Sequence, residues 1–419
     1  MDRSLAYFVK ISSRFRLLLC LSLAIVFCLP CTAAARKPRN HRSARVQTGL
    51  DVLESQKFAP LRGKHVGLIT NHTGIDSEGR STVDIFAHAP GVQLVALFSP
   101  EHGLAGRFDD KVGSTTNSAT GLPVYSLYGE TLRPTDQMLQ GIDALVFDIQ
   151  DAGVRFYTYT TTMAYCMEEA AKRGIAFYVL DRPNLLGGEI VEGPMLDADK
   201  TGFTAYTALP IRYGLTIGEL AQLFNTENHI NCELHVLAMK NWHRNYFYGS
   251  TGLRWIPPSP NLRTLKGAVL YPGLEILQNT GVSVGRGTQT PFEAFGAPWI
   301  NGDDLAAVLN MRHLAGLRFT SQPFIPGAGL YAGQHCGGVA IRITDRAAVR
   351  SMRLGMEIAA LLRQRYPAQF DPAKLLFLTG NADTIRQLQE GIAPEEIVAS
   401  WNAELNTFDH LRRKYFLYK

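Results

Sequence analysis

Short apolar runs alternate with helical patterns through the first half of the chain. Five runs are rich in valine, isoleucine, leucine and phenylalanine and end at turn residues, as expected for strands buried on both faces. These runs predict strands at His65–Thr70, Val92–Phe98, Ala144–Ile149, Ile175–Leu180 and Leu234–Ala238.

Helical patterns lie between these runs. One covers Thr160–Arg173 and stops at Gly174, and a capping box at Thr216–Glu219 opens another that continues through Phe224. Strands that alternate with helices favour a mostly parallel sheet covered on both faces. We therefore predict a Rossmann-like α/β domain, which would be the catalytic domain, over residues 49–254.

A proline-rich stretch interrupts this alternation at residues 255–261, where three of four successive positions are proline. Such a stretch fits neither a helix nor a central strand. It predicts a rigid crossing into a smaller α+β domain over residues 262–419. Its predicted strands are Ala268–Tyr271 and Val339–Ile343, and its predicted helices are Asp304–Leu314, Ala347–Arg363 and Asp383–Glu390.

The N-terminus has the pattern of a secretory signal peptide over residues 1–35. Basic residues precede the apolar run Leu17–Leu29, and small residues follow at Ala33–Ala35. The run is too short to span a membrane comfortably, so we expect cleavage and no stable membrane insertion. Large residues precede Cys31, so no lipid anchor is expected. The protein is predicted to be exported, to the periplasm or the exterior.

Charge adds little to this picture. Nine of the 42 basic residues fall within residues 1–45, against one of the 37 acidic residues. The formal charge of +5 therefore belongs to the leader and to a basic linker at residues 36–48, which is predicted to be disordered. The rest of the chain offers no basic excess for nucleic acid, and none is expected as a partner.

Polar clusters follow four successive predicted strands. In open α/β sheets, ligands bind beyond the carboxyl ends of the strands, so these clusters predict one site. The candidates are Asn71 and His72 after the first strand, Glu101 and His102 after the second, Asp148, Asp151, Arg155 and Tyr157 around the end of the third, and Asp181, Arg182 and Asn184 after the fourth.

Carboxylates are the main chemistry at these strand ends. Glycoside hydrolysis needs two of them, one to protonate the leaving oxygen and one on the other side of the anomeric carbon. Glu101 is the best candidate for the acid; the possible partners are Asp148, Asp151, Asp181 and Glu293. Structural roles are open as well: a helix cap or ion pair for Glu101, loop hydrogen bonds for Asp148, and a pair with Arg155 for Asp151.

Histidines and arginines in the sequence allow two further kinds of site, for a metal ion and for an anionic substrate. His72 and His102 could bind zinc together with Glu101 and an aspartate, although no tight ligand spacing supports this. Guanidinium groups of Arg155, Arg182 and Arg286 could bind an anionic substrate. Dinucleotide, P-loop, zinc-protease and serine-nucleophile motifs are absent from the sequence, and no cofactor is expected.

At these motifs the sequence resembles the exo-β-N-acetylmuramidase family of glycosidases. The matching segments run in order over almost the whole chain after the leader: residues 70–74, 98–103, 124–129, 147–151, 153–159, 180–184, 258–261, 284–288 and 291–293. One departure is the segment Gln278-Asn279-Thr280, where many members carry Glu-Gly-Thr.

This resemblance implies a Rossmann-like first domain, a smaller C-terminal domain, and release of N-acetylmuramic acid from the non-reducing end of peptidoglycan fragments during cell-wall turnover. The family's strand-end glutamate maps to Glu101, and the lactyl carboxylate of the sugar would give the arginines a partner. The predicted catalytic residues are Glu101, Asp148 and Asp151, and the predicted substrate-binding residues are Asn71, His72, His102, Arg155, Tyr157, Asp181, Arg182, Asn184, Arg286 and Glu293.

Two other functions remain open at this point. The first is a metal-dependent hydrolase of the same cell-wall sugars. The second is a non-catalytic periplasmic sugar-binding protein, although a binder has little need for so many titratable groups.

Overall fold

The computed structural model describes residues 45–107, 111 and 113–419, and these belong to one compact unit. The predicted signal peptide, and the predicted linker up to residue 44, lie outside the described residues. Among the residues described, no helix is both long enough and apolar enough to cross a membrane.

Residues 45–48, predicted as the end of a disordered linker, are docked on the fold. The Val46 amide donates to the Thr251 carbonyl at 3.0 Å, and the Val46 side chain is fully buried. Thr48 forms a capping box with Asp51 at the start of the first helix. The folded region therefore begins before residue 49.

Strands in the described part of the chain are β1 (His65–Thr70), β2 (Gln93–Ser99), β3 (Thr115–Thr116), β4 (Pro123–Ser126), β5 (Ala144–Asp148), β6 (Ala176–Leu180), β7 (Glu192–Met195), β8 (Pro210–Arg212), β9 (Leu234–Leu237), β10 (Ala294–Ala297), β11 (Leu317–Ser321) and β12 (Gly337–Ile343). Helices in the same region are α1 (Gly49–Ser55), α2 (Thr82–Ala87), α3 (Asp136–Leu139), α4 (Tyr159–Ala171), α5 (Ile217–Glu227), α6 (Leu265–Glu275), α7 (Gly302–Met311), α8 (Ser351–Arg365), α9 (Leu376–Thr379), α10 (Ala382–Glu390), α11 (Pro394–Ser400) and α12 (Asn402–Arg412).

The central sheet has the order β3-β4-β2-β1-β5-β6-β9. Every neighbouring pair in it is parallel except β3 with β4. The five predicted strands are all present, with ends that move by no more than one residue. The chain leaves β1 toward β2 on one side and returns to β5 on the other, so β1 and β5 form the topological switch point.

The second half of the chain contributes an antiparallel sheet of order β10-β12-β11 with helices around it. This confirms the predicted fold class, a mostly parallel α/β sheet followed by a smaller α+β region. The predicted helices and the strand at Val339–Ile343 are also present, with shifted ends.

Ala268–Tyr271, predicted as a strand, lies instead inside α6. Its four side chains are all buried, so the run has no polar alternation that would separate a strand from an interior helix. The Thr264 hydroxyl caps the helix by accepting from the Gly267 amide at 2.8 Å. The strand prediction was therefore wrong, and the helix places its C-terminal end beside the site described below.

One large cluster of buried apolar residues runs through both halves of the chain, from Ile69 to Tyr415. The proline-rich stretch is irregular in structure and is tied to the first half, because the Tyr159 hydroxyl donates to the Pro258 carbonyl at 2.8 Å. The division into two domains at residues 255–261 stays a prediction.

Candidate active site

The turn after β2 carries two of the predicted site residues. The Gly103 amide donates to the Pro100 carbonyl at 3.0 Å, which closes the turn around Glu101 and His102. His102 has φ of +70° and Gly103 of +72°, a left-handed conformation that is uncommon for residues other than glycine. Such backbone geometry is concentrated at functional sites.

Glu101 and His102 line a cavity of about 250 Å³. This volume is at the small end for ligand sites, which suits one sugar ring better than a long glycan. The other lining residues are Phe156, Tyr157, Thr158, Thr204, Ser259, Asn261, Tyr271, Glu275, Gln278, Arg286, Phe292, Phe377 and Leu378. They come from both halves of the chain.

The Glu101 carboxylate is held at the start of α4. It accepts a hydrogen bond from the hydroxyl of Thr158, the residue that precedes this helix. The partial positive charge of a helix N-terminus favours a negative group there. Glu101 therefore combines the structural role considered for it, contact with a helix start, with a place on the cavity wall.

Two tyrosines back the cavity. The rings of Tyr157 and Tyr271 meet edge to face, with centroids 6.0 Å apart. Burial raises the pKa of both phenols, and the negative charge of Glu101 adds to this. Both stay protonated at neutral pH and can act as neutral hydrogen-bond donors.

Glu275, at the end of α6, is a second carboxylate on the cavity wall. Its Oε1 accepts from Nη2 of Arg286, and the side chain is only 6% exposed. Burial raises the pKa of Glu275 to about 7, with a smaller contribution from Glu101, although Arg286 acts in the opposite direction. The cavity wall thus carries two carboxylates, Glu101 from the first half of the chain and Glu275 from the second. Arg286, also from the second half, is paired with Glu275.

The end of β1 stabilises loops. The Asn71 side chain accepts from the Thr73 amide at 2.9 Å. The His72 Nε2 lies 2.7 Å from the Pro257 carbonyl, and burial lowers the pKa of this imidazole. A Cβ at Gly106 would overlap the His72 ring, so glycine is required where this loop crosses the histidine. Asn71 and His72 are absent from the cavity wall.

The end of β5 and the loop after β6 meet in a buried ion pair. Arg182 donates to Asp148 through Nε at 2.6 Å and through Nη2 at 2.9 Å. Asp148 is fully buried and also accepts from the Thr82 hydroxyl. This pair lies at the topological switch point, and neither residue lines the cavity. The catalytic role of Asp148 and the substrate-binding role of Arg182 stay predictions.

Asp151 and Arg155 are both buried, and each is bound to other partners rather than to the other. Asp151 accepts from the Gly153 amide at 2.6 Å and from the Tyr213 hydroxyl, and burial raises its pKa to about 6. Arg155 donates to backbone carbonyls, among them Leu209 at 2.6 Å, and burial lowers its pKa to about 9. Neither lines the cavity, and the catalytic role of Asp151 and the substrate-binding role of Arg155 stay predictions.

Arg155 nevertheless positions part of the rim. Its Nη2 donates to the carbonyls of Leu378 and Thr379 in α9. The same short helix carries Phe377, whose large apolar side chain is 61% exposed beside the cavity. An exposed aromatic ring at the mouth offers a surface on which a sugar can stack.

The remaining predicted site residues also serve the fold. Asp181 accepts from the Gly218 amide at 2.7 Å at the start of α5. Asn184 donates to the Leu215 carbonyl at 2.8 Å, and Glu293 pairs with Lys266 at 2.8 Å. All three are absent from the cavity wall. Of the predicted site residues, the cavity brings together Glu101, His102, Tyr157 and Arg286.

Among the described residues, no group with suitable metal-ligand geometry lies on the cavity wall. Within the described residues, the group with suitable ligand geometry is Asp51, Glu54 and Asp76. Arg80 already pairs with Glu54 at 2.7 Å and with Asp76 at 2.6 Å. The zinc ligand set considered from the sequence, His72, His102 and Glu101 with an aspartate, is not assembled in the described residues. His72 contacts the Pro257 carbonyl, Asp148 pairs with Arg182, and Asp151 binds the Tyr213 hydroxyl.

The two halves of the chain match two family models. Residues 66–266 match the N-terminal model of the exo-β-N-acetylmuramidase NamZ, and residues 269–418 match its C-terminal model. The chain belongs to the NamZ family of exo-β-N-acetylmuramidases. The resemblance predicted from the sequence is confirmed, and with it the assignment to the glycoside hydrolases.

Relatives of this NamZ-family chain support the same assignment. The chain is 41% identical over 396 residues to a peptidoglycan β-N-acetylmuramidase NamZ of Bacillus subtilis strain 168, covering 92% of this chain and 96% of that protein. Two solved structures of DUF1343 family proteins from Bacteroides fragilis NCTC 9343 are also similar. The first has a TM-score of 0.84 and 39% identity, covering 90% of this chain and 99% of the other. The second has a TM-score of 0.74 and 29% identity, covering 89% and 99%.

Sequence reasoning missed Glu275 among the cavity residues of this NamZ-family chain. It follows the run Ala268–Tyr271, which was predicted as a strand. One signal was available: Glu275 lies three residues before Gln278, the position where many members carry a glutamate.

Proposed function

We propose that the protein hydrolyses the glycosidic bond that follows a non-reducing terminal N-acetylmuramic acid in peptidoglycan fragments, with Glu101 as general acid. The observation that carries this proposal is the cavity itself. It is sized for one sugar and joins Glu101 at a strand end to Arg286 from the other half of the chain. The named activity of the Bacillus relative supports the same reaction.

Each part of the cavity has a task in this reaction. Glu101 donates its carboxyl proton to the glycosidic oxygen as the bond to the anomeric carbon breaks. Water supplies the hydroxyl group of the released sugar, and its remaining proton returns to the carboxylates of the cavity. Arg286, whose side chain is 37% exposed, binds the lactyl carboxylate that distinguishes muramic acid from glucosamine.

Export fits this substrate. The N-terminal pattern of basic residues, apolar run and small residues supports secretion, and peptidoglycan lies outside the cytoplasmic membrane. We therefore propose that the protein acts in the periplasm or outside the cell, in cell-wall turnover and recycling.

Two chromogenic substrates test the activity. Wild-type protein is expected to release nitrophenol from 4-nitrophenyl N-acetyl-β-muramide much faster than from the matched N-acetyl-β-glucosaminide, which lacks the lactyl group. Equal rates on both, or no release from either, would rule out the proposal. Turnover also excludes the non-catalytic sugar-binding protein.

Replacement of Arg286 by methionine is expected to remove this preference. A hydrogen bond between charged groups contributes about 1.5–3 kcal/mol, so kcat/KM for the muramide should fall by about 10- to 150-fold. The rate on the glucosaminide should change far less. Arg263→Met is a matched control, because Arg263 is bound to backbone carbonyls outside the cavity. A muramide preference that survives Arg286→Met would contradict the role of Arg286.

Chelation separates the proposal from a metal-dependent hydrolase. Because the cavity works through carboxylates, dialysis against EDTA is expected to leave kcat unchanged. Loss of activity that is restored by added zinc would show that a metal is required.

A further inference from the structure

Glu275 and Arg286 form an ion pair on the wall of the cavity. The Arg286 guanidinium also lies near the ring of Phe292, with 5.4 Å between its Cζ and the ring centroid. Arg286 is 37% exposed whereas Glu275 is 6% exposed, and both residues line the cavity. The Glu275 Oε2 is buried and has no hydrogen-bond partner in the described part of the chain.

We propose that Glu275 holds, before substrate binds, the position on Arg286 that the substrate's carboxylate later takes, and that a carboxylate-bearing sugar displaces it with uptake of a proton. The inference rests on the proposed function, since it assumes that Arg286 binds the lactyl group. It makes Glu275 a residue that determines specificity, because only an anionic sugar can complete the exchange.

The charges around Glu275 make the exchange depend on a proton. Its charged neighbours are Arg286 and, across the cavity, Glu101. Tyr271, whose phenol is protonated, packs against it from the same helix, and Tyr157 and His102 complete the nearby wall. If the lactyl carboxylate took Arg286 without a proton, Glu275 would be a buried charge that has lost its partner, near the carboxylates of the sugar and of Glu101.

Protonation of Glu275 removes this cost. Burial already brings its pKa to about 7 while Arg286 is paired with it, and loss of that pairing raises the pKa further. Below pH 7 the proton is already present before binding, so affinity should not change with pH. Above pH 7 binding must take up the proton, and affinity should fall by up to about tenfold per pH unit.

The exchange has a consequence for catalysis. The proton taken up with the sugar enters the cavity that contains Glu101, the residue that must be protonated to act as general acid. Binding of an anionic sugar would thus bring one proton to the carboxylate pair, and a neutral sugar would not.

Calorimetry with N-acetylmuramic acid tests the exchange without turnover. Binding to the wild-type protein at pH 8 is measured in phosphate and in Tris, whose ionisation enthalpies differ. The exchange predicts uptake of about one proton per bound sugar, since a group with a pKa near 7 is mostly ionised at pH 8. N-acetylglucosamine, the matched neutral sugar, should bind with no proton uptake.

The same calorimetry on the variant Glu275→Gln is the second part of the test. An amide keeps the shape of the side chain but cannot exchange a proton, so muramic acid binding should lose its proton uptake and its dependence on pH between 7 and 8. Wild-type binding without proton uptake, or uptake that persists in Glu275→Gln, would overturn the exchange while leaving the proposed function intact. Failure of the wild type to hydrolyse the muramide would overturn the proposed function instead.

Discussion

Replacement of Glu101 by glutamine is expected to lower kcat on 4-nitrophenyl N-acetyl-β-muramide by about 10³-fold, within the range typical of general acid catalysis. Glutamine can still accept the hydrogen bond from Thr158 at the start of α4, so the turn after β2 should keep its shape. It cannot donate the proton that the leaving oxygen needs. The KM should change little, because sugar binding relies on other groups of the cavity.

The matched control is Glu404→Gln, which makes the same chemical change at an exposed position of α12. It should keep the wild-type kcat. A substrate whose leaving group needs no proton gives a further check: the loss in Glu101→Gln should be much smaller with 2,4-dinitrophenyl muramide. Full activity of Glu101→Gln on the nitrophenyl substrate would exclude Glu101 as the acid.

Replacement of Asp148 by asparagine is expected to destabilise the protein by about 3–5 kcal/mol, the usual cost of removing one partner from a buried ion pair. Both side chains are almost completely buried, and Arg182 binds both carboxylate oxygens of Asp148. Without the negative charge, the guanidinium would remain buried and unpaired at the switch point of the sheet. Urea denaturation measures the loss.

The double variant Asp148→Leu with Arg182→Met separates a structural role from a catalytic one. Removal of both charges removes the unpaired one, so this variant should recover most of the lost stability. It should also keep most of the wild-type kcat, since neither residue lines the cavity. A stable double variant without activity would return Asp148 or Arg182 to the list of catalytic groups.

The parallel sheet could be predicted from the sequence because its strands are buried on both faces. His65–Thr70 and Leu234–Leu237 are short apolar runs between turn residues, and the structure changes their predicted ends by at most one residue. The capping box at Thr216 likewise marks the start of α5, because its hydrogen bonds are local in sequence. Apolar runs that are buried in a helix look the same, which is why Ala268–Tyr271 was assigned wrongly.

The candidate site could be predicted only in part, because a polar residue at a strand end has two uses. At β2, Glu101 faces a cavity, but at β5 the carboxylate of Asp148 pairs with Arg182 to hold the loops of the switch point together. The sequence pattern is the same in both cases. What distinguishes them is whether a partner from a distant part of the chain occupies the space beyond the strand.

Glu275 illustrates the opposite error. It was not among the predicted site residues, which were chosen mostly at strand ends, yet α6 brings it beside Arg286 and into the cavity that contains Glu101. Its altered pKa arises from burial against residues far away in the sequence. That burial follows from the tertiary fold, so the composition around residue 275 could not reveal it.

Product analysis on two disaccharides tests the central claim most directly. One has N-acetylmuramic acid at its non-reducing end, linked β-1,4 to N-acetylglucosamine, and the other has the two sugars in the reverse order. After incubation with wild-type protein, mass spectrometry should detect free N-acetylmuramic acid from the first disaccharide and no cleavage of the second. Cleavage of the second, or of neither, would contradict release of muramic acid from the non-reducing end.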